Sequence, residues 1–336
     1  MSIKKVGIIG QGFVGTALKE AFSPHYEVLT YDKFRDDLST CASAKSLARK
    51  CGFDSVIFVC VPTPMKWDGS CDTSIVEEVC DSISSGGLSE GFPSSWPDHS
   101  EPIIVIKSTM PPGTTKSLRW KDSCRSHSFP IVFNPEFLME KTATEDFKNT
   151  KRVILGGRTS DEPLWFEEER MGYMTHMNWG NILREFYLKV FPDADIIETD
   201  STTAEFVKYI TNCFLATKVA LANEFALLCD SCGVDYDKVI EYATQDERLG
   251  KSHWAVPGPD GKKGFGGSCF PKDLNGIIAF AKELRLDNDP HFNPFKESSN
   301  FGMKPLATNT LEGAWKTNLK VRPEKDWEKL KGRAVT

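Results

Sequence analysis

Seven short apolar runs, separated by amphipathic segments, occupy the first two hundred residues. Most are rich in valine and isoleucine and end at turn residues, and they cover residues 6–9, 28–31, 56–60, 103–106, 131–133, 153–155 and 195–197. Runs of this kind are typical of strands buried on both faces of a parallel sheet. Because helical patterns alternate with them, the sequence predicts a doubly wound α/β sheet over residues 1–200.

A helical pattern replaces this alternation near residue 200. Residues 202–205 read Thr-Thr-Ala-Glu, which fits a capping box at a helix start, and the pattern continues to about residue 232. Later helical patterns cover residues 235–242, 274–284, 311–319 and 327–330. We expect an all-helical second domain over residues 201–290, entered by one long helix, and a tail over residues 291–336. A Gly/Ser/Pro-rich stretch at residues 82–102 predicts a surface loop.

The composition argues against several functional classes. With 336 residues, 40% hydrophobic and 26% charged, the chain has the balance of a folded globular protein. A net charge of −6 argues against nucleic-acid binding, and no apolar run approaches the length of a membrane span. The N-terminus runs directly into a strand pattern, so we expect no signal peptide and a cytoplasmic location with reduced cysteines. The six histidines show no metal-ligand spacing, so we expect no metal site.

A glycine-rich turn follows the first predicted strand and opens a helix. It reads Gly10-Gln-Gly12-Phe-Val-Gly15, the Gly-x-Gly-x-x-Gly pattern of Rossmann-like dinucleotide sites. Gly10 would make the tight turn, Gly12 would let the backbone meet the pyrophosphate, and Gly15 would allow close helix–strand packing. Asp32 ends the second strand, where an acid binds the ribose 2′-hydroxyl. The pattern therefore predicts NAD rather than NADP.

A single cysteine lies between a run of glycines and a proline. Gly264, Gly266 and Gly267 permit a sharp turn and a close ligand approach, and Pro271 suits the first turn of a helix. Cys269 would then lie at a helix N-terminus, where the helix dipole and unpaired N–H groups favour the thiolate. An isolated cysteine is more often a small buried residue, but this setting predicts a nucleophile.

Polar pairs at helical spacing supply further candidate chemistry. Lys208 and Asn212 are four residues apart on the predicted long helix, and Cys269 and Asp273 repeat this spacing. Each pair alone is as typical of a solvated helix face as of a functional site.

Two more segments carry polar residues that an inert core does not need. Thr109 lies in the segment after the fourth run, at the carboxyl edge of the predicted sheet, where α/β folds bind ligands. Asn134 and Pro135 read as the cap and first residue of a helix, which would place Glu136 and Glu140 one turn apart on one face. Four such sets beside a cysteine and a dinucleotide turn indicate an active site.

Seven motifs in order along residues 5–285 carry a family resemblance. They are the Gly-x-Gly-x-x-Gly turn, Val61-Pro-Thr-Pro64, Lys-Ser-Thr109-x-Pro-x-Gly-Thr, Asn-Pro-Glu136-Phe-Leu-x-Glu140, Glu205-x-x-Lys208-x-x-x-Asn212, Asp246-Glu-Arg248-x-Gly and Gly-Phe-Gly-Gly-Ser-Cys269-Phe-Pro-Lys-Asp273. This set is highly specific. The chain resembles the UDP-glucose/GDP-mannose dehydrogenase family.

The resemblance implies a four-electron oxidation of a sugar-nucleotide C6 alcohol to a carboxylate with two NAD⁺, as in UDP-glucose to UDP-glucuronate. Cys269 would attack the bound aldehyde and carry first a thiohemiacetal and then a thioester. Lys208 and Asn212 would stabilise the negative charge on the substrate oxygen.

The same resemblance assigns proton-transfer and water-binding roles. Thr109 and Asp273 would hold a water that takes the proton of the C6 hydroxyl. Glu136 would activate the water that hydrolyses the thioester, and Glu140 would support it.

Binding residues also follow from the resemblance. Cofactor contacts would come from Gly10, Gly12, Phe13, Val14, Gly15, Asp32, Val61, Thr63, Ser108 and Thr109. Substrate contacts would come from Glu136, Phe137, Leu138, Lys208, Asn212, Arg248 and Gly266. Arg248 would reach the substrate of a neighbouring subunit, so we expect a homodimer formed through the long helix. The products of this family point to polysaccharide biosynthesis.

Several alternatives stay open at this level. The Gly-Gly-Ser-Cys-Phe-Pro-Lys-Asp form favours UDP-glucose, with GDP-mannose or a UDP-N-acetylhexosamine as alternative substrates. A two-electron β-hydroxyacid dehydrogenase would need neither Cys269 nor the paired glutamates. Typical family members carry a third, α/β domain, and the tail after residue 290 lacks the strand–helix alternation that such a domain needs. A protein that binds NAD or a sugar nucleotide without turnover is therefore a further alternative.

Overall fold

The chain divides into two compact units in a computed structural model that describes residues 3–52, 54–84, 102–119, 130–157, 179–286 and 307–336. Unit 1 comprises Met1–Thr63 and Thr73–Lys208, and unit 2 comprises Pro64–Asp72 and Tyr209–Thr336. The predicted surface loop at residues 82–102 lies mostly outside the described residues.

Unit 1 is built on a seven-stranded sheet. Its strands are β1 Lys5–Ile9, β2 Glu27–Tyr31, β3 Ser55–Val59, β4 Ile103–Ile106, β5 Ile131–Phe133, β6 Arg152–Gly157 and β7 Asp195–Asp200. They lie in the order β2-β1-β3-β4-β5-β6-β7, so each of the seven apolar runs forms a strand, as predicted. The strand order reverses at β1, and open α/β sheets bind ligands outside the carboxyl ends of the strands at such a point.

One strand pair departs from the predicted parallel sheet. β5 and β6 pair antiparallel through Phe133 and Gly156, whereas the other neighbouring strands are parallel. Residues 134–151 connect them with one short helix, Ala143–Lys148, which returns the chain at the edge where β5 ended. No crossover spans the sheet there, so β6 runs the opposite way. The doubly wound α/β fold is confirmed, with a mostly parallel sheet.

Helices cover both faces of this sheet. They are α1 Phe13–Phe22, α2 Ala44–Cys51, α3 Ser74–Ser84, α4 Thr114–Arg119, α5 Ala143–Lys148 and α6 Trp179–Val190. Along β4, Ile103 and Val105 pack in the core with α1, α5 and α6, while Ile104 and Ile106 pack in the core with α2 and α3. All four side chains are fully buried, which explains the unbroken apolar run of this strand.

The long helix α7, Ser201–Ser231, starts where the sequence predicts, but its cap is different. Asp200 accepts hydrogen bonds from the Thr203 N–H at 2.8 Å and from the Thr203 hydroxyl at 2.5 Å. The predicted capping box of Thr202 and Glu205 is therefore wrong. The helix already begins at Ser201 behind the Asp200 carboxylate, so Thr202 lies inside its first turn, and Glu205 is engaged elsewhere.

Among the described helices, α7 alone has the length and hydropathy of a membrane span, with 31 residues and a mean hydropathy of 1.2 over its most apolar 18 residues. The expectation that no apolar segment approaches such a length is therefore wrong. The most apolar 18-residue stretch of α7 is 39% buried within the structure. The helix also carries buried polar side chains with protein partners, namely Lys208, Asn212, Lys218 and Asn223. Buried polar side chains with protein partners are typical of a helix packed in a globular protein.

Unit 2 is mainly helical, and its helices match the predicted patterns. After α7 come α8 Tyr236–Ala243, α9 Phe270–Leu286 and α10 Asn309–Val321, with short 3₁₀ helices at Glu247–Leu249 and Asp326–Lys329. A short extended pairing joins the end of the chain to Met65, whose N–H donates to the Ala334 carbonyl at 2.9 Å. Residues 64–72 and 307–336 therefore belong to the same compact unit as the cysteine motif.

Candidate active site

The glycine turn lies at the carboxyl end of β1. Gly10 has a φ of 93°, and a side-chain carbon there would contact the Cys60 carbonyl oxygen at 2.5 Å. A side-chain carbon on Gly15 would overlap the Gly10 carbonyl oxygen. At Gly12, no described atom lies within 4 Å of such a carbon. Gly10 and Gly15 are thus required by the turn itself, whereas Gly12 leaves open space beside the first turn of α1.

The acid at the end of β2 is held beside this turn. The Asp32 carboxylate accepts hydrogen bonds from the Gln11 N–H at 2.7 Å and the Phe34 N–H at 2.9 Å. An acid fixed next to the first strand–helix turn is placed to accept from a ribose hydroxyl and to repel a 2′-phosphate.

The other cofactor candidates of unit 1 cluster on two neighbouring connections. Phe13 and Val14 open α1 and pack against the core. The Ser108 hydroxyl donates to the Val61 carbonyl at 2.6 Å, which joins the segments after β3 and β4, and Thr63 is buried further along the first of these segments.

Two glycine substitutions separate the turn's structural role from its binding role. Gly15→Ala is expected to lower the free energy of unfolding by about 1–3 kcal/mol, because backbone must move to admit the methyl group. Gly12→Ala is expected to leave the unfolding free energy within about 1 kcal/mol but to abolish stabilisation by NAD⁺, because the methyl group enters the open space. Thermal unfolding with and without NAD⁺ measures both. If both variants lost the same unfolding free energy and the same stabilisation by NAD⁺, the two glycines would not have these separate roles.

A buried ion pair joins the segment after β5 to the first part of α7. Lys208 Nζ lies 2.9 Å from Glu136 Oε1 and donates to the Glu136 carbonyl at 2.5 Å, and both side chains are buried. The second Glu136 oxygen accepts from the Leu138 N–H at 2.9 Å. Burial raises the pKa of Glu136, but the Lys208 charge and these hydrogen bonds outweigh it and hold the pKa below its usual range.

The segment that carries Glu136 is not the helix predicted from Asn134 and Pro135. The backbone from Asn134 to Glu140 is irregular or turned, and Glu140 is exposed, so Glu136 and Glu140 do not share a helix face. The Asn134 amide donates instead to the Ile154 carbonyl of β6 at 2.7 Å. The asparagine therefore joins two strands rather than capping a helix, which its local sequence does not reveal.

Glu205 fixes the segment that follows Thr109. This fully buried carboxylate accepts from the Gly113 N–H at 2.6 Å and the Thr115 N–H at 2.8 Å, at the start of α4. Thr109 itself is half-buried beyond the end of β4. Glu205 is a supporting residue that the sequence analysis assigned to a cap, and the signal for its actual role was an acid on the buried stripe of a helix.

Cys269 lies directly before α9. Its carbonyl accepts the Asp273 N–H at 2.8 Å, so it occupies the N-terminal cap position of the helix. Gly264 and Gly267 have φ values of 69° and 72°, a region that favours glycine. The Cys269 thiol is half-buried, 3.8 Å from the Ser268 hydroxyl.

Asp273 is held between an amide and an ammonium. Asn212 Nδ2 donates to Asp273 Oδ2 at 2.5 Å, Lys272 forms an ion pair with Oδ1, and all three side chains are buried. Burial disfavours the charged Lys272, but Asp273, Cys71 and Cys269 outweigh this and raise its pKa. An ammonium that interacts with Cys269 favours the thiolate. Lys272 is not among the predicted site residues, although its place inside the cysteine motif was a usable signal.

Two buried residues near the end of the chain brace the glycine turn before Cys269. Asn318 accepts the Phe265 N–H at 2.7 Å and donates to the Phe265 carbonyl at 2.9 Å. Arg322 is buried, donates to Asp260 at 2.6 Å and Asp326 at 2.7 Å, and its pKa is raised by these carboxylates.

This packing explains two of the glycines. A side-chain carbon on Gly264 would overlap the Asn318 amide, and one on Gly266 would overlap the Arg322 guanidinium. Residues 291–336 are predicted as a tail, and this role is not among the predictions from the sequence. The available signal was that this polar pair, four residues apart, continues the helix face that carries Leu311 and Trp315.

Asn318→Ala tests this brace. We expect a loss of about 2 kcal/mol in unfolding free energy, because the N–H and carbonyl of Phe265 lose buried partners. The control is the neighbouring Thr317→Ala, whose exposed bond to Glu224 should contribute less than about 0.5 kcal/mol. Urea titration of both variants measures the difference, and equal losses would contradict the brace.

Arg248 projects from a fixed turn. Its side chain is 88% exposed and binds Asp246 at 2.5 Å. Lys218 of α7 donates to the Leu249 carbonyl at 2.8 Å and the Gly250 carbonyl at 3.1 Å, which holds the turn. Lys218 is a further supporting residue that sequence reasoning missed.

Unit 1 thus carries two groups, the glycine turn with Asp32 and the Glu136–Lys208 pair, and unit 2 brings Asn212 together with Asp273 and Lys272, which lie in the helix that follows Cys269. Within the described ranges, no group of three or more His, Cys, Asp or Glu side chains could hold a metal ion. A dinucleotide turn on a Rossmann-like sheet, in one chain with a thiol at a helix N-terminus, is typical of a dinucleotide-dependent dehydrogenase.

Comparison with known families agrees. The NAD binding domain of the UDP-glucose/GDP-mannose dehydrogenase family matches residues 35–171, and the central domain of that family matches residues 202–293. The chain belongs to the UDP-glucose/GDP-mannose dehydrogenase family, and its cofactor is NAD. The open space at Gly12, the first turn of α1 and the Asp32 carboxylate fit this cofactor.

Individual relatives agree with this assignment. The chain is 34% identical over 233 residues to a UDP-glucose 6-dehydrogenase of Rickettsia bellii, covering 69% of this chain and 46% of that protein. A structure of a UDP-glucose dehydrogenase from Pyrobaculum islandicum superposes with a TM-score of 0.71 at 26% identity, covering 98% of this chain and 70% of that one. A GDP-mannose dehydrogenase structure from Pseudomonas aeruginosa shares the fold, with a TM-score of 0.56 at 22% identity and coverage of 97% and 70%. The chain spans about half the length of the curated relatives it matches.

Proposed function

We propose that this protein oxidises the C6 alcohol of UDP-glucose to the carboxylate of UDP-glucuronate, with Cys269 as the nucleophile. The observation that carries the proposal is the place of Cys269 at the N-terminus of α9, three residues before the buried Lys272, whose charge interacts with it. Both features favour a thiolate, which a two-electron alcohol dehydrogenase does not need. NAD, when bound, accepts one hydride in each of the two oxidations.

The first oxidation removes a proton and a hydride from C6. A water held by Thr109 and Asp273 takes the hydroxyl proton as the hydride leaves, which yields the aldehyde. Asp273 is suited to this role because Asn212 and Lys272 fix both of its oxygens.

The second oxidation takes place on the cysteine. The Cys269 thiolate adds to the aldehyde carbon, and Lys208 and Asn212 stabilise the negative oxygen that forms. Loss of a hydride from the thiohemiacetal carbon leaves a thioester. Glu136 takes a proton from the water that attacks this carbon, and the C–S bond breaks to release the carboxylate and restore the thiolate. Glu140 would support this step from its exposed turn.

Other nucleotide sugars are the second candidate substrates, because dehydrogenases of GDP-mannose and UDP-N-acetylmannosamine share the fold. Phe137, Leu138 and Gly266 would line the sugar site in either case. Steady-state rates with NAD⁺ on UDP-glucose, GDP-mannose and two UDP-N-acetylhexosamines test the choice. We expect kcat/KM for UDP-glucose to exceed the others by about a hundredfold. If only another of these nucleotide sugars were oxidised, that sugar would replace UDP-glucose as the proposed substrate. If none were oxidised, the result would favour a protein that binds NAD or a sugar nucleotide without turnover.

The proposal includes a homodimer formed through α7. Unit 2 exposes large apolar side chains at helical spacing on this helix, namely Ile210, Phe214, Leu221, Phe225 and Leu228. Apolar stripes of this size mark interfaces, and in this family a second copy would cover the stripe and accept Arg248 toward its substrate.

Phe214→Glu is expected to convert the dimer to a monomer, because Phe214 is 66% exposed on the stripe and a carboxylate there would be buried in the interface. Tyr242→Glu, at a 67% exposed aromatic of α8 off the stripe, is the matched control and should leave the dimer intact. Light scattering after size exclusion measures both masses. A monomeric parent protein, or a dimeric Phe214→Glu variant, would contradict the proposed interface.

A cytoplasmic role in polysaccharide biosynthesis completes the proposal. It rests on the reaction itself, since UDP-glucuronate is an activated sugar acid, and on the net charge of −6, which disfavours nucleic-acid and anionic membrane partners.

A further inference from the structure

A cavity of about 230 Å³ lies in unit 1 beside the segment that carries Glu136. It is lined by Lys107 at the end of β4, by Asn134 and Tyr187, and by residues 149–152 at the start of β6. Apart from Glu136 and the two residues after it, these lining residues have no role in the proposed reaction.

Lys107 places an unpaired charge in this cavity. The side chain is only 5% exposed, and its ammonium donates to Asn134 Oδ1 at 3.0 Å and lies 5.8 Å from the centre of the Phe147 ring. No carboxylate in the described parts of the chain comes within 4.0 Å of it, and two of its three N–H donors have no described protein acceptor. A buried ammonium in this state needs a counter-ion or a polar guest.

The nearby carboxylates do not pair with Lys107. Asn134 Oδ1, its acceptor, also accepts the Tyr187 hydroxyl at 2.6 Å. Glu136 is bound by the ion pair described above. Asp146 also lines the cavity, where its Oδ2 accepts a backbone N–H at 3.0 Å and a threonine hydroxyl at 2.8 Å, and neither of its oxygens lies within 4.0 Å of the Lys107 ammonium. The protein therefore does not neutralise Lys107 from the surrounding segments.

Two further cations line the cavity at the start of β6. Lys151 and Arg152 are both exposed, and the Arg152 guanidinium lies 5.1 Å from the centre of the Phe137 ring. A cavity lined by one buried ammonium and two exposed cations suits a tetrahedral or planar anion, because each cation can supply charge-assisted hydrogen bonds.

We propose that this cavity is an anion site that takes a phosphate or sulfate group, with Lys107 as its buried ligand and Lys151 and Arg152 as its outer ligands. The inference goes beyond the proposed oxidation and does not require it, since binding is measured without turnover.

The site is expected to lose affinity as the pH rises. Burial lowers the pKa of Lys107 to about 8, with Glu136 and Cys60 opposing and Lys208 adding to this shift. Burial raises the pKa of Cys60 to about 12 and that of Tyr187 above its ordinary value, so both stay neutral near pH 8. Glu136, with its lowered pKa, stays ionised there. Lys107 is thus charged below about pH 8 and loses its charge above it.

Sulfate is the probe, because its charge does not change in this range. Isothermal titration with sodium sulfate at constant ionic strength should show binding near pH 6.5 that is about tenfold weaker or more near pH 9.5. Lys107→Met should weaken binding near pH 6.5 by about tenfold or more, and Arg152→Gln should weaken it by a smaller factor. Lys148→Met, which removes an exposed lysine paired with Glu20, is the control and should bind like the parent protein.

The sulfate titrations can support or overturn the anion site. Thermal unfolding checks that Lys107→Met is folded, and a methionine of similar length should be accepted there. No sulfate binding near pH 6.5, equal binding by Lys107→Met, or binding that does not change with pH would overturn the proposal. Displacement of sulfate by UDP or NAD⁺ would also overturn it, because the anion would then belong to the nucleotide sites. A protein that binds sulfate but does not oxidise UDP-glucose would contradict only the proposed function.

Discussion

Cys269→Ser is expected to lower the rate of acid formation by about a thousandfold or more, because a serine hydroxyl is not ionised by the surroundings that favour a thiolate. Those surroundings are the cap position of α9 and the nearby Lys272 ammonium. The first oxidation does not use the sulfur, so the variant should still transfer one hydride from a bound sugar. Product analysis by mass spectrometry, together with a single-turnover NADH trace, measures both effects.

The control for this substitution is Cys232→Ser. Cys232 is exposed just beyond the end of α7 and should leave the rate within about twofold of the parent protein. A Cys269→Ser protein that makes the acid at the parent rate would remove the nucleophile from the mechanism.

Lys208→Met is expected to have the second largest effect, since it leaves the Glu136 carboxylate buried without its cation. At neutral pH the unfolding free energy should fall by about 3–5 kcal/mol, and acid formation should fall by about a hundredfold or more. Denaturant titration and steady-state rates measure the two losses.

The loss of stability in Lys208→Met should depend on pH. In the parent protein the pKa of Glu136 is lowered, so its contribution to stability is present above the unfolded-state pKa and is lost as the pH falls through the folded-state pKa. In Lys208→Met, burial dominates and raises the pKa of Glu136. The deficit relative to the parent protein should therefore be small in acid and should grow as the pH rises. A deficit that is constant from acid to neutral pH would contradict the ion pair.

A double variant separates the two roles of Lys208. Adding Glu136→Gln to Lys208→Met removes the buried charge, so stability at neutral pH should return most of the way to that of the parent protein. Acid formation should not return, because both the base and the oxyanion ligand are then missing. Recovery of the rate along with the stability would show that Lys208 only supports the fold.

The elements that sequence predicts well are those whose signal is local. An unbroken apolar run such as that of β4 has one satisfactory environment, a strand covered on both faces, and each such run forms a strand. The glycine turn at Gly10 and the helix that follows Cys269 depend on φ angles and helix geometry over a few residues, and their positions could be read directly.

The failures concern hydrogen bonds between residues far apart in the chain. Asn134 reads locally as a helix cap, but its amide binds Ile154 on a strand twenty residues on. Asn318 bonds to Phe265 across 53 residues, so a tail that reads as plain helix supports the cysteine turn. In each case a tertiary partner satisfies a polar group that the local pattern assigned to a cap or to solvent.

The most direct test of the central claim is the amount of NADH released per mole of limiting UDP-glucose with NAD⁺ in excess. The Cys269 route predicts about two NADH for each sugar, because the aldehyde is held and oxidised again through the thioester. One NADH per sugar would show that oxidation stops at the aldehyde and would contradict the role assigned to Cys269.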